Sequence, residues 1–189
     1  VYPPANQVSV PGNIIVSHAW DATTRAALAE GKRIVFLPDT LNATESLPGS
    51  FLPVFWSPIW FHSIPNTMGI LCDPKSPLFT WFPTDSYSNW QWWHLIQGSK
   101  TMILNGTPQE FRPLVQVIDN FARNDKLANV FETKVGKGSL LVCTLNLSDE
   151  KLPETDAFLK SLYDYAASGS FNPSRKLDVA VLNKILSPS

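Results

Sequence analysis

Residues 13–38 decide the fold, and they read NIIVSHAWDATTRAALAEGKRIVFLP. The apolar run at their start is typical of a buried strand. Asp21 or Thr23 can cap the N-terminus of the helix that follows, and Gly31 can take the left-handed conformation after its end. A second apolar run starts at Arg33. Strand, helix and strand within so short a stretch predict a βαβ unit, whose crossover makes its two strands parallel.

Beyond this unit the sequence predicts more strands. Three further apolar runs are strand candidates: residues 67–72, 101–104 and 114–118. Residues 39–66, in contrast, carry few periodic signals and many Pro, Gly, Ser and Asn. Residues 128–145 hold two apolar runs on either side of Gly136 and Gly138, which predicts an antiparallel β-hairpin at one edge of the sheet.

Helices complete the expected fold. The apolar side chains of residues 153–167 recur at helical spacing, and a last helical pattern runs from residue 178 to residue 186. We therefore expect an α/β domain over residues 13–170, with three layers and a mostly parallel sheet. A linker at residues 1–12 would precede it, and a tail with a short helix at residues 171–189 would follow.

Length and charge limit the classes of function. The chain has 189 residues and a formal net charge of −1. One domain of this size can bury a core without disulfides or metals. The charge balance excludes the basic surface of a general nucleic-acid-binding protein, and no apolar run is long enough to span a membrane. Because the first residue is Val1, we expect a piece of a longer chain or one with its leader removed.

The tryptophans are concentrated, since six of the seven lie between residues 56 and 93. Two interpretations are open. In one, these side chains pack an irregular segment on the sheet or against a neighbouring domain. In the other, exposed indole faces stack on sugar rings while nearby polar groups bind hydroxyls. The residues of such a site would be Trp90, Trp92, Trp93, Asp85 and Asn89. A helix beginning near Ser88 would place Trp90 and Trp93 on one face and Trp92 on another.

Few other polar residues carry a chemical signature. His18 follows the first strand, at the carboxyl end where α/β ligand sites form, and it is either a ligand-binding or a structural histidine. Asp119 and Arg123 follow another apolar run and form either a capped turn with an internal ion pair or a polar wall facing the tryptophans. The sequence has no metal-ligand spacing and no phosphate-binding loop, so we expect no metal and no cofactor.

The two cysteines show no sign of catalysis. Cys72 and Cys143 each close an apolar run and lack the flanking glycines of a nucleophile elbow. We expect two buried free thiols, with a disulfide only if their strands are neighbours. No residue is assigned a catalytic role.

Four stretches resemble one known family. They are GILCDPKSPLF from Gly69, FPTDSYSNWQWW from Phe82, PLVQVIDNFARN from Pro113 and VGKGSLLVC from Val135. Together with FWSPIW at residues 55–60, they resemble a C-terminal region of bacterial family 2 glycoside hydrolases, of the β-galactosidase and β-glucuronidase type. The resemblance covers about residues 14–173. It implies a class I glutamine-amidotransferase-like domain of flavodoxin-like topology. It also implies an accessory role, because the catalytic carboxylates of such enzymes belong to an upstream barrel.

These observations lead to three functional hypotheses. The first is a non-catalytic accessory domain of a multidomain glycoside hydrolase, which would contact the other domains of that enzyme through residues 51–93. The alternative is an independent carbohydrate-binding module that uses residues 81–94. The third is a small hydrolase or transferase that uses His18 with Asp85 or Asp119. We expect a periplasmic or other extracytoplasmic location, with no nucleic-acid or membrane partner.

Overall fold

A computed structural model describes residues 8–51, 58–62, 64–148 and 152–188. These residues form eight strands in one mixed sheet, together with five α-helices. The strands are β1 (Ile15–Ser17), β2 (Arg33–Phe36), β3 (Ser46–Pro48), β4 (Thr67–Cys72), β5 (Lys100–Ile103), β6 (Val115–Asp119), β7 (Leu127–Val135) and β8 (Gly138–Cys143). The helices are α1 (Ala22–Ala29), α2 (Pro58–Phe61), α3 (Trp93–Ile96), α4 (Pro153–Ala167) and α5 (Val179–Leu186). Short 3-10 turns lie at Ala43–Glu45, Pro77–Phe79 and Trp90–Trp92.

The predicted βαβ unit is confirmed. Asp21 caps α1 by accepting a hydrogen bond from the Thr24 amide at 2.8 Å, and Gly31 lies just after the helix at φ +92°. β1 and β2 pair in parallel, and β2 pairs in parallel with β8 on its other edge. Residues 13–38 therefore fold as their pattern indicates.

The expectation of a mostly parallel, flavodoxin-like sheet is wrong, and so is the amidotransferase-like topology. Of the seven strand pairings in the described part of the chain, two are parallel and five are antiparallel. β7 pairs with β8, β5 and β6, while β3 extends the sheet from β5 and β4 extends it from β6. Between β2 and β8 the described α-helices are only four residues long. A parallel return needs a long crossover, usually a helix, so the strands of this region pair antiparallel instead.

β7 and β8 form the predicted hairpin, with paired residues from Val130 and Cys143 to Val135 and Gly138. Gly136 takes the turn at φ +59°. The hairpin is central in the sheet and not at its edge as predicted, because β2 pairs with the free side of β8 and β6 pairs with β7.

Alternating side chains of the central strands fill two cores, one on each face of the sheet. Ile34 and Phe36 of β2 belong to the core under α1 and α5, whereas Val35 belongs to the opposite core. The predicted helix α4 covers that second core with Phe158 and Leu162. The predicted helix α5 buries three side chains: Leu182, Ile185 and Leu186. The stretch after residue 170 is thus an integral part of the fold.

Some predicted features lie outside the described residues. These are residues 1–7 of the expected linker, residues 55–57 of the stretch that contributes to the family resemblance, and residues 52–54 and 63 of the expected contact segment.

Candidate functional site

Ser50 and Thr67, which flank the irregular segment of the sequence, are joined by two hydrogen bonds; we call the segment between them the loop. The Thr67 hydroxyl accepts a hydrogen bond from the Ser50 amide at 2.7 Å and donates to the Ser50 carbonyl oxygen at 3.0 Å. Thr67 is fully buried, so this link fixes where the loop leaves and rejoins the sheet. On the loop, Ile59 is 78% exposed and Trp60 is 79% exposed. The loop therefore presents large apolar side chains at the surface.

A cluster of aromatic rings adjoins the base of this loop. Phe51 contacts Trp90 and Trp93, with ring centroids 5.8 and 5.2 Å apart, and the two indoles lie 5.5 Å from each other. They share a side as predicted, although the segment is a 3-10 turn followed by α3 and not one continuous helix. Trp90 is 68% exposed. We call Ile59, Trp60 and Trp90 the apolar surface.

Trp92, in contrast, belongs to the core. It is fully buried, and its ring packs against Phe82 and Phe158 with centroids 5.1 and 5.9 Å away. Its indole N–H donates to the Thr84 hydroxyl at 2.8 Å. A side chain enclosed in this way cannot stack on a ligand, so the prediction that Trp92 belongs to a sugar site is wrong.

The polar groups predicted beside the tryptophans hold the 3-10 turn. Asn89 accepts a hydrogen bond from the Gln91 amide at 3.2 Å, which caps the turn. The Asn89 side-chain amide donates to the Asp85 carboxylate at 3.1 Å. Both ends of the Asn89 amide are therefore engaged within the protein, which weakens the case for these groups as binders of sugar hydroxyls.

A cleft of about 510 Å³ lies at the carboxyl ends of the parallel strands. His18 follows β1, Asp39 follows β2 and residues 144–148 follow β8, and all of them line it. Lys100 of β5 and Tyr163 of α4 complete the polar part of the lining. The chain leaves β2 for the face covered by α1, where Leu41 is buried, and leaves the neighbouring strand β8 for the face covered by α4. Connections that diverge to opposite faces open a crevice between adjacent strands, so the topology itself creates this cleft.

The ring of His18 is oriented by the end of β2. Its Nδ1 atom lies 2.8 Å from the Leu37 carbonyl oxygen and 3.7 Å from an Asp39 carboxylate oxygen. Because a carbonyl oxygen can only accept, Nδ1 carries the hydrogen, and Nε2 of the neutral ring is left as an acceptor. Among the described residues that line the cleft, neither Asp85 nor Asp119 is present, so the pairings of the third hypothesis are not assembled.

Asp119 and Arg123 form the capped turn that was one of the two predictions for them. The Asp119 carboxylate accepts hydrogen bonds from the Asp125 amide at 2.9 Å and from the Arg123 guanidinium at 2.8 Å. Burial by itself would raise the pKa of Asp119, but these hydrogen bonds and that of the Asn120 amide outweigh it, so the pKa lies below its ordinary value. Arg123 also donates to the Asn66 carbonyl oxygen at 2.6 Å and ties the turn to the end of the loop. Both side chains therefore act in the structure of the turn.

Both thiols are free, as predicted, although only Cys143 is fully buried. Burial raises the pKa of Cys72 to about 11 and that of Cys143 to about 12. A thiol with so high a pKa carries almost no thiolate at neutral pH, so neither group is an activated nucleophile.

Two general features concern the part of the chain that the structure describes. No three His, Cys, Asp or Glu side chains there come together in a way that could hold a metal ion. No helix in the same residues has both the length and the apolar character that crossing a membrane requires.

Sequence reasoning singled out His18 but missed Asp39 and Lys100, the charged residues of the cleft. Lys100 begins an antiparallel strand, and Asp39 opens an irregular segment. The one signal that could have found Asp39 is its place directly after a predicted parallel strand. No signal in the sequence places Lys100 near His18.

Comparison with known proteins identifies a family but no function. A search of curated proteins found no match. The model of one family matches residues 15–187, which is nearly the whole chain and spans β1 to α5. The chain therefore belongs to the family described as Domain of unknown function (DUF8487).

Proposed function

We propose that the chain is a non-catalytic accessory domain of a multidomain glycoside hydrolase, and that its apolar surface packs on another domain of that enzyme. The observation that carries the proposal is the exposure of Ile59, Trp60 and Trp90. The choice of a glycoside hydrolase rests on the sequence resemblance given above. The proposal includes the periplasmic or other extracytoplasmic location expected from the sequence.

These three large apolar side chains are more exposed than is usual for their residue types on a surface that has no partner. Single exposed apolar residues are common, but clusters of large exposed apolar side chains mark interaction sites, and Trp60 and Trp90 lie on segments that adjoin at the base of the loop. Trp60 lies on the loop whose base is fixed by the hydrogen bonds between Ser50 and Thr67. Trp90 lies on a turn and contacts Phe51, the residue that follows Ser50. Thr67 of β4 therefore fixes the base of the loop directly, and Phe51 at that base packs against the turn that carries Trp90. Both segments have fixed positions at which a partner domain could bind. Tryptophans in such positions are frequent energetic centres of interfaces.

The alternative is an independent carbohydrate-binding module, and one observation favours it. The exposed Trp90 ring has Trp93 beside it, which is a possible platform for a sugar ring. Against it stand the buried Trp92 and the engaged Asn89 amide. Titration of the chain with neutral oligosaccharides, followed by tryptophan fluorescence, separates the two functions. A saturable response that is lost in Trp90→Ala would favour the module, and a flat response would favour the accessory domain.

The accessory role is tested in the complete protein encoded by the open reading frame. We expect the double variant Trp60→Ser/Trp90→Ser to lower its thermal stability and its glycosidase activity. The isolated chain carrying the same changes should unfold at nearly the original temperature, because exposed side chains contribute little to its own stability. Trp81→Ser is the matched control, since Trp81 is exposed but packs under the Lys160 ammonium, 4.3 Å from its ring. Equal effects of the double variant in both proteins, or a reading frame without a second domain, would contradict the proposal.

A further inference from the structure

We propose that the cleft at the carboxyl ends of β1, β2 and β8 binds a small, neutral polyhydroxy compound of about the size of a monosaccharide. This site is separate from the apolar surface, since Ile59, Trp60 and Trp90 are absent from the described residues that line the cleft. The inference therefore goes beyond the accessory role and does not depend on it.

The cleft lies at a position where α/β folds commonly bind ligands. In α/β sheets, ligands bind outside the carboxyl ends of parallel strands, where adjacent connections leave to opposite faces. The adjacent parallel strands β2 and β8 meet this condition here, because the chain after β2 buries Leu41 in the core on the α1 side, whereas α4 after β8 covers the opposite face. The volume of about 510 Å³ lies within the usual range for small-molecule sites.

Part of the polar lining is already used by the protein. The Thr144 hydroxyl donates to the Asn129 carbonyl oxygen at 3.2 Å, and the Ser148 hydroxyl donates to the Asn146 side-chain oxygen at 2.6 Å. The Asn146 amide donates in turn to the Gln97 carbonyl oxygen at 3.0 Å. These groups shape the β8 side of the cleft and hold the chain that leaves the strand.

Three ionisable side chains remain to meet a ligand. Asp39 offers carboxylate oxygens and His18 offers Nε2, so both accept hydrogen bonds, whereas Lys100 can only donate them. No ion pair joins the Lys100 ammonium to a carboxylate of the described residues. The side chain of Asp39 is 81% exposed and lies 3.7 Å from the His18 ring. The set thus combines acceptors and a strong donor within one cleft.

This combination fits hydroxyl groups better than a charged ligand. A hydroxyl both donates and accepts, so neighbouring hydroxyls can satisfy Asp39, His18 and Lys100 together. The charges of Asp39 and Lys100 are opposite, which gives neither an anion nor a cation a net attraction. Six apolar side chains also line the cleft and suit the C–H faces of a sugar ring: Leu37, Pro38, Leu41, Leu145, Leu147 and Leu159. Apolar walls with a few polar groups are the usual form of such a site.

The test is a titration of the chain followed by proton–nitrogen correlation NMR. The probes are D-glucose and D-galactose as neutral compounds, D-glucuronate as an anion and D-glucosamine as a cation. We expect saturable shifts of the amides of residues 37–39 and 144–148 with a neutral sugar, and weaker binding of both charged probes. Lys100→Met and Asp39→Asn should each weaken binding by about tenfold, because each removes a hydrogen bond to a charged group.

The controls separate this site from the others. Lys75→Met removes a charge from an exposed lysine outside the cleft and should leave the affinity unchanged. The spectrum of each variant without ligand shows whether it is folded, and Asp39 is exposed enough that Asp39→Asn should fold normally. Tighter binding of a charged probe would overturn the neutral class of ligand. Shifts confined to residues 89–93, or no saturable shift with any probe, would overturn the site.

Discussion

Truncation of Trp92 to alanine should destabilise the protein more than truncation of the exposed tryptophans in the same segment. The Trp92 ring is fully buried and packs edge-on against Phe79, Phe82 and Phe158, with centroids 5.1 to 6.2 Å away. Its removal leaves a cavity between α4 and the 3-10 turn at Pro77–Phe79, where four aromatic rings now meet. Neighbouring rings cannot collapse into that space without leaving their own contacts.

The expected loss follows from the burial and from the hydrogen bond. Replacing a buried tryptophan by alanine costs about 3–5 kcal/mol of the free energy of unfolding. The Thr84 hydroxyl loses its donor, but this residue is half-buried and can turn to water, so the added cost is small. For a domain of this size the loss corresponds to a decrease in Tm of about 6–20 °C. Urea titration followed by circular dichroism measures the free energy, and calorimetry measures Tm.

The neighbouring tryptophan provides the matched control. Trp90→Ala removes an equally large ring that is mostly exposed and contacts Phe51 and Trp93 at its edge. We expect it to cost about 1 kcal/mol or less, as an aromatic pair at a surface does. Similar losses for Trp90→Ala and Trp92→Ala would refute the division of this segment into a buried and an exposed part.

Three other substitutions test local contacts by urea titration at about pH 7, repeated at lower pH for the two carboxyl groups. Asp119→Asn should lower the free energy of unfolding by about 1–3 kcal/mol. Because the pKa of Asp119 is lowered in the folded state, this contribution is present above its ordinary pKa and should vanish as the pH falls through the lowered value. Burial raises the pKa of Glu132 in the folded state. The folded protein should therefore lose stability as the pH rises from the ordinary pKa of this group to its raised pKa. Glu132→Gln should abolish this pH dependence without loss of stability at neutral pH. Gly138→Ala should cost about 1–3 kcal/mol, because its Cβ would meet the Leu28 carbonyl oxygen, whereas Gly106→Ala is a control in open space. A Gly138→Ala protein as stable as the control would show that α1 packs differently.

Local signals predicted local structure well. The caps of α1, the apolar pattern of α4 and the glycines between β7 and β8 all act within a few residues, and each element is found where its pattern placed it. Helical spacing also placed Trp90 with Trp93 and Trp92 on another face, but it did not show that Trp92 is the buried one, which was wrongly included in the sugar site.

Pairing between distant strands was the part that local patterns could not predict. The run at residues 67–72 forms β4 as expected, but its pattern does not say that its partner is β6 or that the pair is antiparallel. β3 was missed because it has three residues and ends in a proline. The cleft shows the same limit, since Lys100 and His18 line it together only because of the order of strands in the sheet.

The most direct test of the accessory role is hydrogen exchange in the complete protein, compared with the isolated chain. We predict slower amide exchange in peptides that cover residues 58–62 and 90–93 when the rest of the protein is present, because a partner domain would cover the apolar surface. Peptides from the central strands β7 and β8 should exchange equally slowly in both proteins, since those strands are buried in either case. Equal exchange of residues 58–62 and 90–93 in the two proteins would contradict the proposal that this surface docks on another domain.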